Sequence, residues 1–271
     1  MCKAVVVGSL NLDTSITLER MPQPGETIAA QGISLNPGGK GANQAFALGR
    51  LGCPVAMVGA VGQDAAGDTL LENLQAAGVD CSCVARREVP TGQAFITVDS
   101  AGENAIIILA GANSTVSTAD VEKLRPLLAQ ADCLVLQLEI PLETVAAAAK
   151  LARSLGKVVI LDPAPAPGPL PGELLAQGVG TVLVSLGAKG ALAVTPQEAL
   201  LVAPPQVKAV DTTSAGDCFT AAFALRLVEG ETSLQAALEF ANTAAALTAS
   251  RPGAQASIPA RDEVEALLAA R

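Results

Sequence analysis

Five short aliphatic runs constrain the fold of this 271-residue chain more than anything else in it: residues 3–7, 55–61, 133–138, 158–161 and 181–185. Each is a few residues long and lacks the polar alternation of a half-solvated strand, so each reads as a strand buried on both faces. Stretches of helical period lie between and after them, at 41–51, 66–77, 121–130, 142–154, 215–228, 233–250 and 261–270. Gly78 and Gly156 stand just past two of these, where a helix end favours glycine. Residues 207–210 read as one more short strand. Strand–helix alternation of this kind predicts an α/β fold, a doubly wound, mostly parallel sheet flanked by helices. Half of the residues are apolar, yet only five are aromatic, all Phe. The core must therefore pack through Ala, Val, Leu and Ile.

Two segments break the rhythm, 14–36 and 91–109. Both show strand-like runs around a turn and read as hairpins inserted into one domain spanning 1–271. Together they predict a small β-sheet that serves as a lid or dimer contact, with ornamental hairpins as the alternative. The formal net charge is −9 and no Lys/Arg cluster occurs, which argues against nucleic acid and anionic membranes as partners. No apolar run reaches the ~18–20 residues of a membrane span. The first residues enter a strand without a signal-peptide pattern, so a cytoplasmic location is expected. The six cysteines include no CxxC pair and the chain has no histidine, which disfavours zinc sites and disulfide scaffolds. Any general base must be Asp, Glu, Lys or Cys, since Tyr is also absent.

In open α/β sheets, ligands bind beyond the carboxyl ends of the strands. Polar residues that follow strands therefore carry the functional signal. After the first run come Asn11 and Asp13 in "GSLNLD", which share a face in extended chain. They read equally as a clamp for vicinal hydroxyls and as an Asx turn. "NPGGKGANQA" (36–45) offers Gly38, Gly39 and Gly41, which let backbone approach a ligand at the opening of a helix. Lys40 and Asn43 add donors there. The spacing is not that of a P-loop, and no G-x-G-x-x-G follows a strand. Glu139 stands at the end of the third run, either as a site acid or as a solvated strand terminus.

"DTTSAGDCF" (211–219) places Ser214, Ala215 and Gly216 at the mouth of an apolar helix. Amides at a helix N-terminus lack intrahelical partners and carry the positive end of the dipole. Small side chains leave them accessible, which makes an anion hole, and Asp217 follows in the first turn. Asp217 as a mere dipole complement and Asp211 as a turn residue are simpler readings, but neither accounts for an approach stripped to small residues. An anion hole beside a carboxylate suits phosphoryl transfer: the amides hold charge while the acid takes a hydroxyl proton. Cys218 reads as a small helix residue or, beside the base at a helix N-terminus, as a reactive thiol.

"GGKGANQAFALGRLG" (38–52) and "DTTSAGDCFTAA" (211–222) resemble the two signature motifs of the ribokinase-like carbohydrate kinases. "GSLNLD", "PGET" (24–27), "GEN" (102–104), "AGAN" (110–113), "QLEIP" (137–141) and "GAQASIP" (253–259) follow in the family's order, so the resemblance covers nearly the whole chain. It implies ATP-dependent phosphorylation of ribose at O5, with Asp217 as base and Ser214, Ala215 and Gly216 around the anion hole. It implies sugar contacts from Asn11, Asp13, Gly39, Lys40, Gly41, Asn43 and Glu139, besides Asp217. A nucleotide loop at "SLGAKG" would use Ser185, Gly187, Lys189 and Gly190, joined by Gly216 and by Asn242 on the adenine side. The resemblance also implies Mg²⁺, and an activating K⁺ near Asp211, Thr213, Thr248, Arg251, Gly253 and Ser257, held mostly by backbone oxygens. A homodimer through the lid is implied as well.

The chain departs from the family between residues 162 and 181. The family there carries an additional strand–helix unit with an Asn-x-x-Glu motif that helps arrange Mg²⁺ and phosphates. Here only "PAPAPGPLPGELLAQGVG" intervenes, so a sheet one strand shorter than usual is expected. Ser214 is a second departure, where Gly or Ala is usual; its hydroxyl either crowds the anion hole or caps the helix. Two further readings therefore stand beside a ribose kinase. One is a kinase for another small substrate, such as deoxyribose, fructose or a nucleoside. The other is a folded sugar-binding relative with impaired binding of ATP and Mg²⁺.

Overall fold

The chain forms two sheets, seen in a computed structural model that describes residues 3–165 and 179–270. With strands numbered in chain order, the larger sheet contains β1 (Ala4–Val7), β4 (Val55–Gly62), β5 (Asp80–Arg87), β8 (Cys133–Leu136), β9 (Val158–Leu161), β10 (Thr181–Ser185), β11 (Ala191–Val194) and β12 (Ala199–Val202). Its order is β12-β11-β10-β9-β8-β1-β4-β5. Pairing is parallel from β10 to β5 and antiparallel from β10 to β12. The smaller sheet contains β2 (Asn11–Thr17), β3 (Gly32–Gly38), β6 (Gly92–Val98) and β7 (Asn104–Leu109), in the order β3-β2-β6-β7. Its two hairpins join through the parallel pair β2–β6.

The aliphatic runs fill the middle of the larger sheet. All residues of β1, β4 and β8 are buried. Successive residues of β1 feed opposite faces, as strand geometry requires. Ala4 and Val6 join a core with helices α1 (Lys40–Arg50), α2 (Ala65–Ala76), α6 (Ala215–Val228), α7 (Leu234–Ala249) and α8 (Arg261–Ala269). Val5 and Val7 join the opposite core with α3 (Thr118–Glu122), α4 (Arg125–Gln130) and α5 (Leu142–Ser154). The result is the doubly wound α/β architecture that strand–helix alternation predicts. Helix α6, "AGDCFTAAFALRLV", is apolar on nearly every side and buries Asp217 through Leu225, as a helix inside a core does. Burial of Phe219 and Phe223 contributes roughly 1.5–3 kcal/mol each.

Three expectations change. Residues 207–210 form no strand: the Val210 amide donates to Ala249 O at the end of α7, and Val210 stays exposed. The helix expected at 121–130 is two helices. Ser117 caps the first through a capping box with Asp120, and Pro126, which has no amide hydrogen, sits in the first turn of the second. Strands β5, β11 and β12 were not anticipated, because none is uniformly buried: β5 mixes buried and exposed residues, β11 alternates buried with half-buried, and β12 alternates exposed with half-buried. Most of the stretch expected to lack a strand, residues 166–178, lies outside the described residues.

The strand order reverses beside β1, with β4 and β5 on one side and β8, β9 and β10 on the other. Such a switch point opens a crevice at the carboxyl ends of the strands. The segments after β1, β8 and β9 all end there.

Candidate active site

Asp217, in the first turn of α6, is 5% exposed. Asn43 Nδ2 donates to its Oδ2 at 2.9 Å and Gln44 Nε2 to its Oδ1 at 3.2 Å, both from α1. Lys40 Nζ lies 3.5 Å from Asp217 Oδ1 and 3.5 Å from Asp162 Oδ2. Gln44 Nε2 also donates to Asp162 Oδ2 at 3.1 Å, and Gln137 Nε2 donates to Gln44 Oε1 at 2.6 Å. Glu139 accepts from Ser9 Oγ at 2.5 Å and from the Lys40 amide at 3.0 Å. One buried cluster thus joins the ends of β1, β8 and β9 to the starts of α1 and α6.

The close approach of these segments depends on glycine. Gly39 has φ 86°, and a Cβ there would meet Asn11 N at 2.7 Å. A Cβ on Gly41 would meet Ser9 N at 2.6 Å. Asn11 is buried on β2, its Oδ1 accepting from Asn113 Nδ2 at 2.8 Å. Asp13, two residues on, is the counterpoint: its Oδ1 is buried without a hydrogen-bond partner. Burial first, then the nearby Glu139 and Asp217 charges, push Asp13 up to about 7. Burial likewise raises Asp162 to about 7, against the pull of Lys40. Burial opposes the charge on Lys40, but Asp217, Asp162 and Glu139 hold its ammonium above the ordinary lysine value.

Ser214 occupies the left-handed region, φ 61°. Its side chain makes no cap hydrogen bond, and its Oγ is buried and unpartnered, so the cap reading is overturned. The Ala215 amide donates to Thr212 O at 3.2 Å, which removes it from the expected set of free donors. The first intrahelical bond runs from Cys218 N to Ser214 O at 2.8 Å. The amides of Gly216 and Asp217 precede it and are the donors left to an anion. Cys218 is fully buried, and burial pushes its thiol up to about 12. It is a small core residue of α6, not a reactive thiol.

In the loop expected to take the nucleotide, Ser185 ends β10 and a one-turn 3₁₀ segment spans Gly187–Lys189. Gly190 follows at φ 100°, where a Cβ would strike Val202 O at 2.1 Å. A Cβ on Gly216 would come within 3.4 Å of Ser185 Oγ, so this loop adjoins the start of α6. Asn242 is buried in α7, and its Nδ2 donates to Val202 O at 2.8 Å, tying the helix to the end of β12.

Asp211 accepts from the amides of Thr213 (2.9 Å) and Gly253 (3.0 Å). Burial works against its charge, but the Thr213 side chain and those two amides hold it below the usual carboxylate range. Thr248 Oγ1 donates to Ala244 O, Ser257 Oγ donates to Ala254 O, and Arg251 pairs with Glu263. The side-chain oxygens of Thr248 and Ser257 are thus turned onto carbonyls, so a monovalent cation here would rely on backbone oxygens. Among the described residues, no group of three or more His, Cys, Asp or Glu side chains is placed to hold a metal ion.

Four residues of the cluster escaped sequence reasoning: Ser9, Gln44, Gln137 and Asp162. Asp162 follows a buried parallel strand directly, so the rule that singled out Glu139 points to it as well. Gln44 and Gln137 stand inside motifs that were read for their glycines and acids.

A family model described as pfkB family carbohydrate kinase matches residues 1–172 and 168–261. The chain is 36% identical over 299 residues to a ribokinase of Staphylococcus aureus, covering 97% of this chain and 98% of that protein. Its fold matches a crystal structure of ribokinase from Thermotoga maritima with a TM-score of 0.88 at 38% identity, covering 99% of this chain and 100% of that one. It matches Arabidopsis thaliana ribokinase complexed with ribose and ATP with a TM-score of 0.87 at 36% identity, over 99% of this chain. An alignment of 299 residues is longer than this chain of 271, so it contains gaps in this chain. The two family-model matches overlap at 168–172, inside the stretch without the Asn-x-x-Glu unit.

Proposed function

Because the chain belongs to the pfkB family of carbohydrate kinases, we propose that it transfers the terminal phosphoryl group of ATP to O5 of D-ribose, giving ribose 5-phosphate and ADP. The observation that carries this reading is the buried Asp217 carboxylate, oriented by Asn43 and Gln44 beside the free amides of α6. Asp217 takes the proton of the O5 hydroxyl as that oxygen attacks the γ-phosphorus and the bond to the β-phosphate oxygen breaks. The Gly216 amide and the helix N-terminus hold the charge that gathers on the transferring group. Asp13, with an unpartnered buried oxygen, accepts a sugar hydroxyl, and Asn11, Lys40, Asn43, Glu139 and the backbone of Gly39 and Gly41 complete the sugar site. Ser185, Gly187, Lys189 and Gly190 receive the nucleotide, with Asn242 behind them.

Mg²⁺ would arrive bound to ATP and supply positive charge at its phosphates. The turn at Asp211 and Thr213 and the segment 248–257 would hold an activating K⁺ through backbone oxygens, and the ion would supply positive charge near the start of α6. The smaller sheet exposes Ile33 (72%) and Ile107 (70%), which supports its roles as lid over the sugar and contact in a homodimer.

Ribose-dependent ADP release, measured across a panel with deoxyribose, fructose and nucleosides, tests the reading. Ribose should give the highest kcat/KM. A preference for another member of the panel would reassign the acceptor. The split of the family match into two pieces around 168–172 favours a second reading, a sugar-binding relative with impaired ATP binding. Ribose binding without turnover at millimolar ATP would select it.

A further inference from the structure

A chain of three side-chain amides reaches Asp217 from α2. Asn73 Nδ2 donates to Gln255 Oε1 at 2.5 Å, Gln255 Nε2 donates to Asn43 Oδ1 at 2.8 Å, and Asn43 Nδ2 donates to Asp217 Oδ2 at 2.9 Å. An ionised carboxylate only accepts hydrogen bonds. Asp217 therefore dictates that Asn43 turn its nitrogen inward. The Asn43 oxygen then needs a donor, which the Gln255 nitrogen supplies, and the Gln255 oxygen takes its own donor from Asn73. Asn43 is held against a flip by Gln255, and Gln255 by Asn73. Gln255 is 5% exposed and Asn43 6%, so bulk water does not replace these partners. A flipped Asn43 would set its carbonyl oxygen against the carboxylate. The segment that carries Gln255 is also tied to the start of α6, through Asp211 bridging the Gly253 and Thr213 amides.

We infer that Gln255 and Asn73 are positioning residues for phosphoryl transfer: they fix the polarity of the Asn43 carboxamide and, through it, the aim of the Asp217 carboxylate. The inference rests on the reading of Asp217 as base. Gln255 and Asn73 touch neither substrate in this scheme, and they act through Asn43.

The polarity of the chain supplies a test that a merely structural role would not pass. Asn73→Ala removes the last donor but leaves Gln255 donating to Asn43. Asn73→Asp replaces that donor with an acceptor, so Gln255 turns its nitrogen toward the new carboxylate and Asn43 loses its anchor. The expected result is a kcat for Asn73→Asp at least ~10-fold below that of Asn73→Ala, with equal melting temperatures; misplacement of about 1 Å can remove ~10²-fold. On a Gln255→Leu background, Asn73→Asp should add no further loss, because the chain is already cut. Equal kcat for the two Asn73 variants would overturn the inference. So would a loss that persists on the Gln255→Leu background, since that reports charge at a distance, or one that tracks a fall in melting temperature. Asp217→Asn, run alongside, separates the two claims: if it retains turnover, the base assignment itself has failed.

Discussion

At the end of the cleft proposed for the phosphoryl acceptor, Asp217, Asn43, Gln44, Gln137 and Asp162 are buried and joined to one another by hydrogen bonds. At the end proposed for the nucleotide, Ser185 and Gly187–Lys189 are exposed, and the buried amide of Asn242 serves the backbone of β12. The acceptor end is thus preorganised: its side chains are locked by packing and by each other before any ligand arrives. The proposed nucleotide end offers backbone and exposed side chains, which would bind by accommodation. Substitutions at the first end should therefore act on sugar recognition and turnover. Those at the second should act weakly, and on ATP.

Among substitutions that separate the two ends, the largest effect is expected at Gly39. Its positive φ and the nearby Asn11 amide leave no room for a methyl group, so Gly39→Ala must push β2 and α1 apart. Steady-state kinetics should show kcat/KM for ribose reduced by ~10²-fold or more, with the KM for ATP nearly unchanged. An equal loss at both substrates would break the contrast between the two ends.

Asp13 comes next, through pH. The fold raises its pKa from 3.8 to about 7, chiefly by burial. The folded chain therefore holds a proton that the unfolded chain has lost, and stability falls as pH rises through that window. Asp162 shifts in the same direction. Asp13→Asn should accordingly raise the melting temperature at pH 8, leave it nearly unchanged near pH 4, and weaken ribose binding. A gain that is the same at both pH values would contradict the assignment.

Ser214→Gly removes a side chain from the left-handed region and should stabilise the protein by roughly 1 kcal/mol, with kcat within about threefold of the parent. A larger fall in kcat would give the unpartnered Ser214 hydroxyl a role at the phosphate. Lys189→Ala should do least: a modest rise in the KM for ATP and no change for ribose.

The larger sheet was legible because its central strands are short aliphatic runs between helices, and β9, β10, α5 and α6 fall where the pattern places them. What escaped has a physical cause. In β5 buried and exposed residues are mixed, and β11 and β12 are short antiparallel strands toward one edge. Runs with both faces half-wet carry a weaker signal than buried ones. At the site, Asp217, Asn43 and Lys40 were readable from a Gly-rich helix opening and an acid at a helix mouth. Gln44 and Gln137 were not, because a glutamine in a helix or at a strand end looks the same in sequence whether it faces water or a buried carboxylate. Ser214 shows the limit from the other side. Its position suggested a cap, but a left-handed φ turns its hydroxyl away from that role.

The central claim, that Asp217 takes the proton from the sugar hydroxyl, is tested most directly by pairing two measurements on Asp217→Asn: ribose binding by calorimetry and ribose-dependent ADP release. The account predicts binding within about tenfold of the parent and turnover lower by ~10²–10⁴-fold. Turnover within tenfold of the parent, with binding intact, would contradict it.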